Sequence, residues 1–203
     1  MKKLLLTGFV PFLEFPVNPT EEIVKELEGE IIGDYEIISR VLPVDFQESE
    51  QQIIQHFTDI QPDAVIALGL AAGRTNITPE RIAINCKDGA PDNNGIQCED
   101  EPIDQEGPDG YFSTLPIRAM VNLLNEQGYP AKISNTAGTY LCNNVMYAIL
   151  HTIATHKDHN KQIKAGFIHI PASHSLAIQM KNSPGSWSQK DLTDAIRLAI
   201  QAL

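Results

Sequence analysis

Ala64-Val65-Ile66-Ala67-Leu68 is a five-residue apolar run, closed off by Pro62-Asp63 before it and by Gly69 and Gly73 after it. A run this short, between turn residues, reads as a strand buried on both of its faces. Strands of that kind belong to parallel sheets whose crossovers are helices, and both flanks of the run supply them. Upstream, Leu4-Leu5-Leu6 reads as a first buried strand, and Thr7 to Phe12 as a loop leaving it with two aromatics, Phe9 and Phe12. Asn18 has the character of an N-cap, with Pro19 at the first helical position and Glu21 and Glu22 in the first turn. Ile23, Val24 and Leu27 give that helix an apolar face, and Gly29 ends it. Tyr35 to Leu42 follows as a strand, and a second helix directs Ile53, Ile54 and Phe57 inward before Pro62 breaks it.

Downstream, Arg81 to Asn85 alternates as a further strand, and residues 86 to 110 form the longest irregular stretch, of a length that is usually functional or mobile. Ile117 to Glu126 is helical in pattern, and Tyr129 to Ile133 is a short strand candidate. Val145, Met146, Ile149, Leu150 and Ile153 recur at helical spacing. Thr155 to Lys161 is a polar linker and Ala165 to Ile170 another strand, ending at Pro171. Residues 172 to 187 read as surface loop, and Ser188-Gln-Lys-Asp191 is a capping box opening a last helix with Leu192, Ile196, Ala199 and Ile200 inward. Strands and helices alternate throughout. That order predicts an α/β fold: one domain over residues 1–203, an open, mostly parallel twisted sheet with helices on both faces.

The chain has 203 residues, of which 42% are hydrophobic, enough for one packed core. Its net charge of −11 argues against a nucleic-acid surface, which needs clustered Lys and Arg, and against an anionic membrane. No run approaches the roughly 20 apolar residues of a membrane span. The opening Met-Lys-Lys-Leu-Leu-Leu is interrupted at Thr7-Gly8 and Pro11, too soon for a secretory leader. Three cysteines, Cys86, Cys98 and Cys142, with no Cys-x-x-Cys, make neither a disulfide framework nor a structural zinc site. A reducing, cytoplasmic setting is expected.

Cys142 lies where the Ser134–Tyr140 turn hands over to a helix. The positive end of a helix dipole and exposed backbone N–H groups favour the thiolate there. His169, at the C-terminal end of a predicted central strand, is the best-placed base, because ligand crevices of open α/β sheets lie outside those ends. Spacing alone leaves open whether this pair is a nucleophile and base or a small buried hydrophobe and a hydrogen-bonded core histidine. Glu80, Asp45 and Asp63 are all candidates to orient the imidazole, and Glu80 could equally pair with Arg81 in solvent. Cys98, beside Glu99 and Asp100, is the least reactive thiol expected, since carboxylates raise a thiol pKa. His151, His156 and His159 are spaced like a loose metal cluster that no acid or thiol completes. Gly69 to Gly73 lacks the Lys-Ser/Thr of a phosphate loop, and Glu99-Asp-Glu101 reads as a solvated face.

An ordered set of stretches resembles the pyroglutamyl-peptidase I (pyrrolidone-carboxylate peptidase) family of cysteine peptidases over nearly the whole chain. The stretches are Leu5 to Phe9 with Pro11-Phe12 and Asn18-Pro19, Leu42-Pro-Val44, and Leu68-Gly-Leu70 with Gly73-Arg74. Pro79 to Asn85, Ser134 to Gly138 leading to Cys142-Asn143, and Gly166 to Pro171 complete the set. The resemblance implies a thiol exopeptidase that removes an N-terminal pyroglutamyl group through a thioester acyl-enzyme. It implies catalytic roles for Cys142, His169 and Glu80, and a substrate pocket walled by Phe9, Phe12, Tyr140 and Leu141. It implies no metal or organic cofactor, peptide substrates with an N-terminal pyroglutamate, and a homo-oligomer, often a tetramer. Two places depart from the family. The loop after Asn85 runs Cys86-Lys-Asp-Gly-Ala-Pro-Asp92, without the Arg common there, and Lys87 lacks a guanidinium fork. After Pro171 the chain reads Ala172-Ser-His-Ser-Leu in place of Tyr-x-Pro-Glu-Gln. The alternative, which the missing loop Arg alone supports, is a non-catalytic or weakly active lactam-binding relative.

Overall fold

The computed structural model describes residues 1–12, 15–156, 162–182 and 184–203. In chain order the elements begin with β1 (Lys2–Phe9), α1 (Pro19–Leu27), β2 (Ile31–Ile32), β3 (Tyr35–Leu42), α2 (Phe46–Ile60) and β4 (Ala64–Leu70). They continue with β5 (Thr78–Pro79), β6 (Ile82–Ile84), β7 (Gly110–Phe112), α3 (Ile117–Glu126) and α4 (Leu141–Thr155). The last are β8 (Lys164–Ile170), β9 (Ala172–Ser173), α5 (His174–Gln179), β10 (Ser186–Trp187) and α6 (Gln189–Gln201).

All seven residues of β4 are buried, and the strand lies inside a six-stranded sheet of order β2-β3-β1-β4-β8-β5. The four central strands are parallel, and only the two-residue edge strands β2 and β5 run antiparallel. Alternation along each strand sorts the core into two layers. Leu4, Leu6, Ile66, Leu68, Ile168 and Ile170 pack with α1, α3 and α6. Leu5, Val65, Ala67, Ala165 and Phe167 pack with α2 and α4 on the opposite face. The expected α/β sheet covered by helices on both faces is thus the observed one. The end signals hold as well: Asn18 accepts from the Thr20 amide with Pro19 at the helix start, and Ser188 accepts from the Asp191 amide.

Four local expectations are corrected. β1 runs through Phe9, which is buried rather than loop, because its amide donates to Thr20 Oγ1 and its ring joins the α2/α4 core. β6 does not join the main sheet; it pairs with β7 in a separate antiparallel ribbon whose Ala83 is buried. The sheet edge beside β8 is taken by β5, where Pro79 needs no ladder donor. Tyr129–Ile133 forms no named strand, because its partner is short: Ala131 and Ser134 bridge Ile77 and Glu80 in parallel. Residues 172–187 are not simple surface. β9 and β10 pair with α5 between them in the chain, and Ala172, the N-cap Ser173, Leu176 and Ala177 are buried. The stretch 86–110 is irregular as expected, crossed by a Lys87–Glu101 bridge. α4 extends to Thr155, and most of the polar linker after it, residues 157–161, lies outside the described residues.

Candidate active site

The site forms where the C-terminal ends of β4 and β8 meet the N-terminus of α4. His169 is the penultimate residue of β8 and stands in register with Gly69 of β4. Cys142 is the second residue of α4, in the first turn, where backbone N–H groups have no intrahelical acceptor. A Cβ placed on Gly69 would lie 2.9 Å from Cys142 Sγ, so the absence of a side chain there is what lets the thiol approach the sheet end that carries His169. Asn143 holds the start of the helix: its side chain donates to the carbonyls of Ile84 and Cys86 and accepts from the Ile84 amide. Sequence reasoning named Asn143 only as part of a motif; its complete burial next to the half-buried Cys142 is a tertiary fact.

Glu80 follows β5, and its backbone amide donates to the Phe167 carbonyl. Its side chain is fully buried, and Oε1 lies 2.7 Å from His169 Nδ1. A carboxylate there makes Nδ1 the protonated nitrogen of a neutral imidazole and leaves Nε2 as the basic one. Of the three acids left open by the sequence, Glu80 is the one that meets His169. Asp45 instead caps α2, and Asp63 accepts from the Lys3 amide. Nor does Glu80 pair with Arg81, whose Nε donates to Asn135; Arg74 is its cation, with Nη1 2.6 Å from Oε1.

Burial pushes the Cys142 thiol up to about 12, and Glu80 adds to the rise. Arg74 and the backbone amide at the helix start pull the other way without prevailing. Burial thus works against the thiolate that a helix start favours. Burial also lowers the His169 pKa, against the upward pull of Glu80 and with help from Arg74, so the imidazole rests neutral. For Glu80, burial raises the carboxyl, but His169, Ser134 and Arg74 together outweigh it and hold it below its ordinary value. The other two thiols are also raised, Cys86 by burial, Asp100 and Asp88, and Cys98 by burial and then Glu101.

A narrow cleft opens beside the thiol, lined by Phe9, Phe12, Asn18, Val44, Leu70, Tyr140, Leu141 and Cys142. The four expected pocket residues all lie in this wall; Asn18, Val44 and Leu70 join them from β1's loop, the α2 approach and the end of β4. A strap formed by residues 91–94 ties the wall together. Tyr140 Oη donates to the Pro91 carbonyl, and Asn93 donates through its side chain to the Pro11 carbonyl and through its amide to Val44. Asp92, nearly buried, accepts from the amides of Phe46, Asn94 and Ile96 and so fixes the strap on α2. Lys87 lines a different cavity, with Glu50, Cys98 and Glu101, rather than this cleft. His151 bonds Tyr111 and lies 3.6 Å from Asp104, and His156 packs edge-on against Phe57. His159 lies outside the described residues, among which no group of three His, Cys, Asp or Glu is placed to hold a metal. No described helix is long and apolar enough to cross a membrane.

A thiol at a helix start, an imidazole at the adjoining sheet end and a buried carboxylate behind it define a thiol-dependent hydrolase on an open α/β sheet. The pyroglutamyl peptidase family model matches residues 2–203. The chain belongs to that family, and it is a cysteine peptidase of the omega type. It is 55% identical over 203 residues to the pyrrolidone-carboxylate peptidase of Oceanobacillus iheyensis, covering all of both chains. It is 54% identical over 200 residues to that of Halalkalibacterium halodurans, covering 98% of each. Among solved structures, the pyrrolidone carboxyl peptidase from Thermococcus litoralis superposes with a TM-score of 0.93 at 41% identity, covering 100% of this chain and 93% of that one. Pyroglutamyl peptidase I from Bacillus amyloliquefaciens gives 0.93 at 40% identity, covering 100% and 96%. Family membership favours the peptidase over a non-catalytic lactam binder.

Proposed function

We propose that Cys142 is the nucleophile, His169 its general base and acid, and Glu80 the group that orients His169, in removal of an N-terminal pyroglutamyl residue from peptides. The observation that carries the reading is the 2.7 Å contact of His169 Nδ1 with buried Glu80, His169 being in register with the Gly69 that Cys142 Sγ approaches. With thiol and imidazole both neutral at rest, proton transfer accompanies attack. Sγ bonds to the pyroglutamyl carbonyl carbon as its proton passes to His169 Nε2. The Cys142 amide donates to the oxyanion. The C–N bond then breaks, the amine leaves with the proton from His169, and a thioester remains. Water, giving its proton to His169, hydrolyses the thioester to pyroglutamate and regenerates the thiol. These steps call on no further group.

Phe9, Phe12, Tyr140 and Leu141 form the pocket for the lactam ring. A ring that is flat and uncharged enters an apolar wall at little desolvation cost, whereas an ordinary N-terminal ammonium loses its hydration without a counter-charge. The 203 residues act as one catalytic unit. A cytoplasmic, reducing setting fits three free cysteines, and a homo-oligomer, tetrameric by likeness to the family, is the assembly that light scattering would test. The decisive assay is release of a reporter amine from a pyroglutamyl amide by wild type and by Cys142→Ser. Loss of release in the variant is expected; equal release in both would overturn the assignment of the nucleophile.

A further inference from the structure

Arg74 reaches the site from the loop after β4. Its Nη1 donates to Glu80 Oε1 at 2.6 Å and to Thr78 Oγ1 at 2.7 Å, and its Nη2 reaches the Thr136 carbonyl at 3.5 Å. Glu80 Oε1 is thus shared between the guanidinium and His169 Nδ1. Thr136 belongs to the turn that leads into α4, so one side chain spans the acid of the triad and the approach to the nucleophile. The loop itself is pinned: the Arg74 amide donates to Ala71, and Trp187 Nε1 donates to the neighbouring Thr75 carbonyl.

We propose that Arg74 is a positioning residue for the peptidase reaction: it fixes the Glu80 carboxylate against His169 Nδ1 and couples that carboxylate to the turn preceding Cys142. The proposal rests on the triad reading above. A fully buried carboxylate facing only a neutral imidazole is an uncompensated charge. It relaxes by drawing a proton onto the imidazole, and an imidazolium cannot accept the proton of a thiol. The guanidinium removes that drive by balancing Glu80 itself. The charged and titratable groups acting on His169 are Glu80 and Arg74, those acting on Cys142 are the same two, and those acting on Glu80 are His169 and Arg74, with the Ser134 hydroxyl. The Tyr140 hydroxyl, raised mainly by burial, also feels the Cys142 thiol. Because the Arg74 side chain is 30% exposed, solvent screens part of its charge. A lysine would supply a point charge but not the fork that serves Glu80, Thr78 and Thr136 together.

The test is the pH profile of kcat/KM on a pyroglutamyl reporter amide for wild type, Arg74→Met, Arg74→Lys and Glu80→Gln, with thermal unfolding of each. In Arg74→Met the acid limb moves to higher pH by about one unit and plateau kcat falls about tenfold, with KM little changed. In Arg74→Lys the limb returns towards its wild-type position while kcat stays depressed. In Glu80→Gln the further change Arg74→Met has little effect, because the two act through one contact. An unmoved acid limb in folded Arg74→Met overturns the proposal, and so does an equal loss at all pH values. If Arg74→Met does not fold, Arg74→Lys decides, and wild-type kcat in it is the refuting result. Normal turnover in Glu80→Gln would instead remove the triad reading beneath the proposal.

Discussion

Gly69→Ala perturbs the site at its most crowded point. The new methyl would lie 2.6 Å from Phe167 Cε1 and Cζ and 2.9 Å from Cys142 Sγ. Ordinary contacts of a Cβ begin at about 3.4 Å, so the sulfur must retreat by about 0.5 Å and the ring by about 0.8 Å. Neither has room: Phe167 is fully buried and packs against His169 at a centroid distance of 4.9 Å, and Cys142 is held by the helix that Asn143 anchors. Overpacking of this kind costs about 1–3 kcal/mol, so a loss near 2 kcal/mol lowers Tm by about 4–8 °C in a chain of this size. A misplacement of about 1 Å costs about 10²-fold in rate, and half of that predicts a fall of about 10-fold or more in kcat/KM. Gly73→Ala is the control, since a Cβ there meets nothing within 4 Å; its stability changes by under about 0.5 kcal/mol and its activity holds. The measurements are steady-state hydrolysis of a pyroglutamyl reporter amide and a thermal melt. Wild-type kcat/KM in Gly69→Ala would refute the claim that the empty Cβ position sets the sulfur against the sheet end.

Three further outcomes follow from the same geometry. Iodoacetamide modifies Cys142 ahead of Cys86 and Cys98, and only while His169 is present to take the proton of a thiol pushed up to about 12; peptide mapping of wild type and His169→Asn reads this, and unchanged labelling in the variant contradicts it. Asn93→Ala removes the strap's bond to Pro11 and loosens the lactam pocket, so KM rises about fivefold, for about 1 kcal/mol, with kcat nearly kept; a fall in kcat alone speaks against the strap. His169 is held below its ordinary 6.5, so the unfolded chain takes up that proton first and its contribution to stability declines as pH falls below 6.5. Melts at pH 7 and pH 5 therefore show a smaller drop in His169→Asn than in wild type, and an equal drop denies the burial of a neutral imidazole.

How much of this was legible in advance depended on how local the signal is. The buried run at Ala64, the caps at Asn18 and Ser188 and the helical spacing after Cys142 are contiguous patterns. Each element they announce exists, and their alternation is enough for a parallel sheet. Asn143, Arg74 and the 91–94 strap carried no such pattern. Their partners are distant in sequence: Ile84 and Cys86 for Asn143, Glu80 and Thr136 for Arg74, Pro11 for Asn93. Residue reading alone left Asp45 and Asp63 beside Glu80; the family resemblance implied Glu80, and it is Glu80 that the fold brings to the imidazole.

The sequence by itself therefore determined the layered α/β architecture, the helix start that carries the thiol and the family to which the chain belongs, because periodicity, caps and motifs are written in neighbouring residues. Only the tertiary structure decided the state of the site. It paired Glu80 with both His169 and Arg74, and it set an empty Cβ position beside Cys142 Sγ. It also buried Cys142 beside Glu80, which pushes the thiol up to about 12. Burial depends on everything packed around a group, and that sum exists only once the chain has folded.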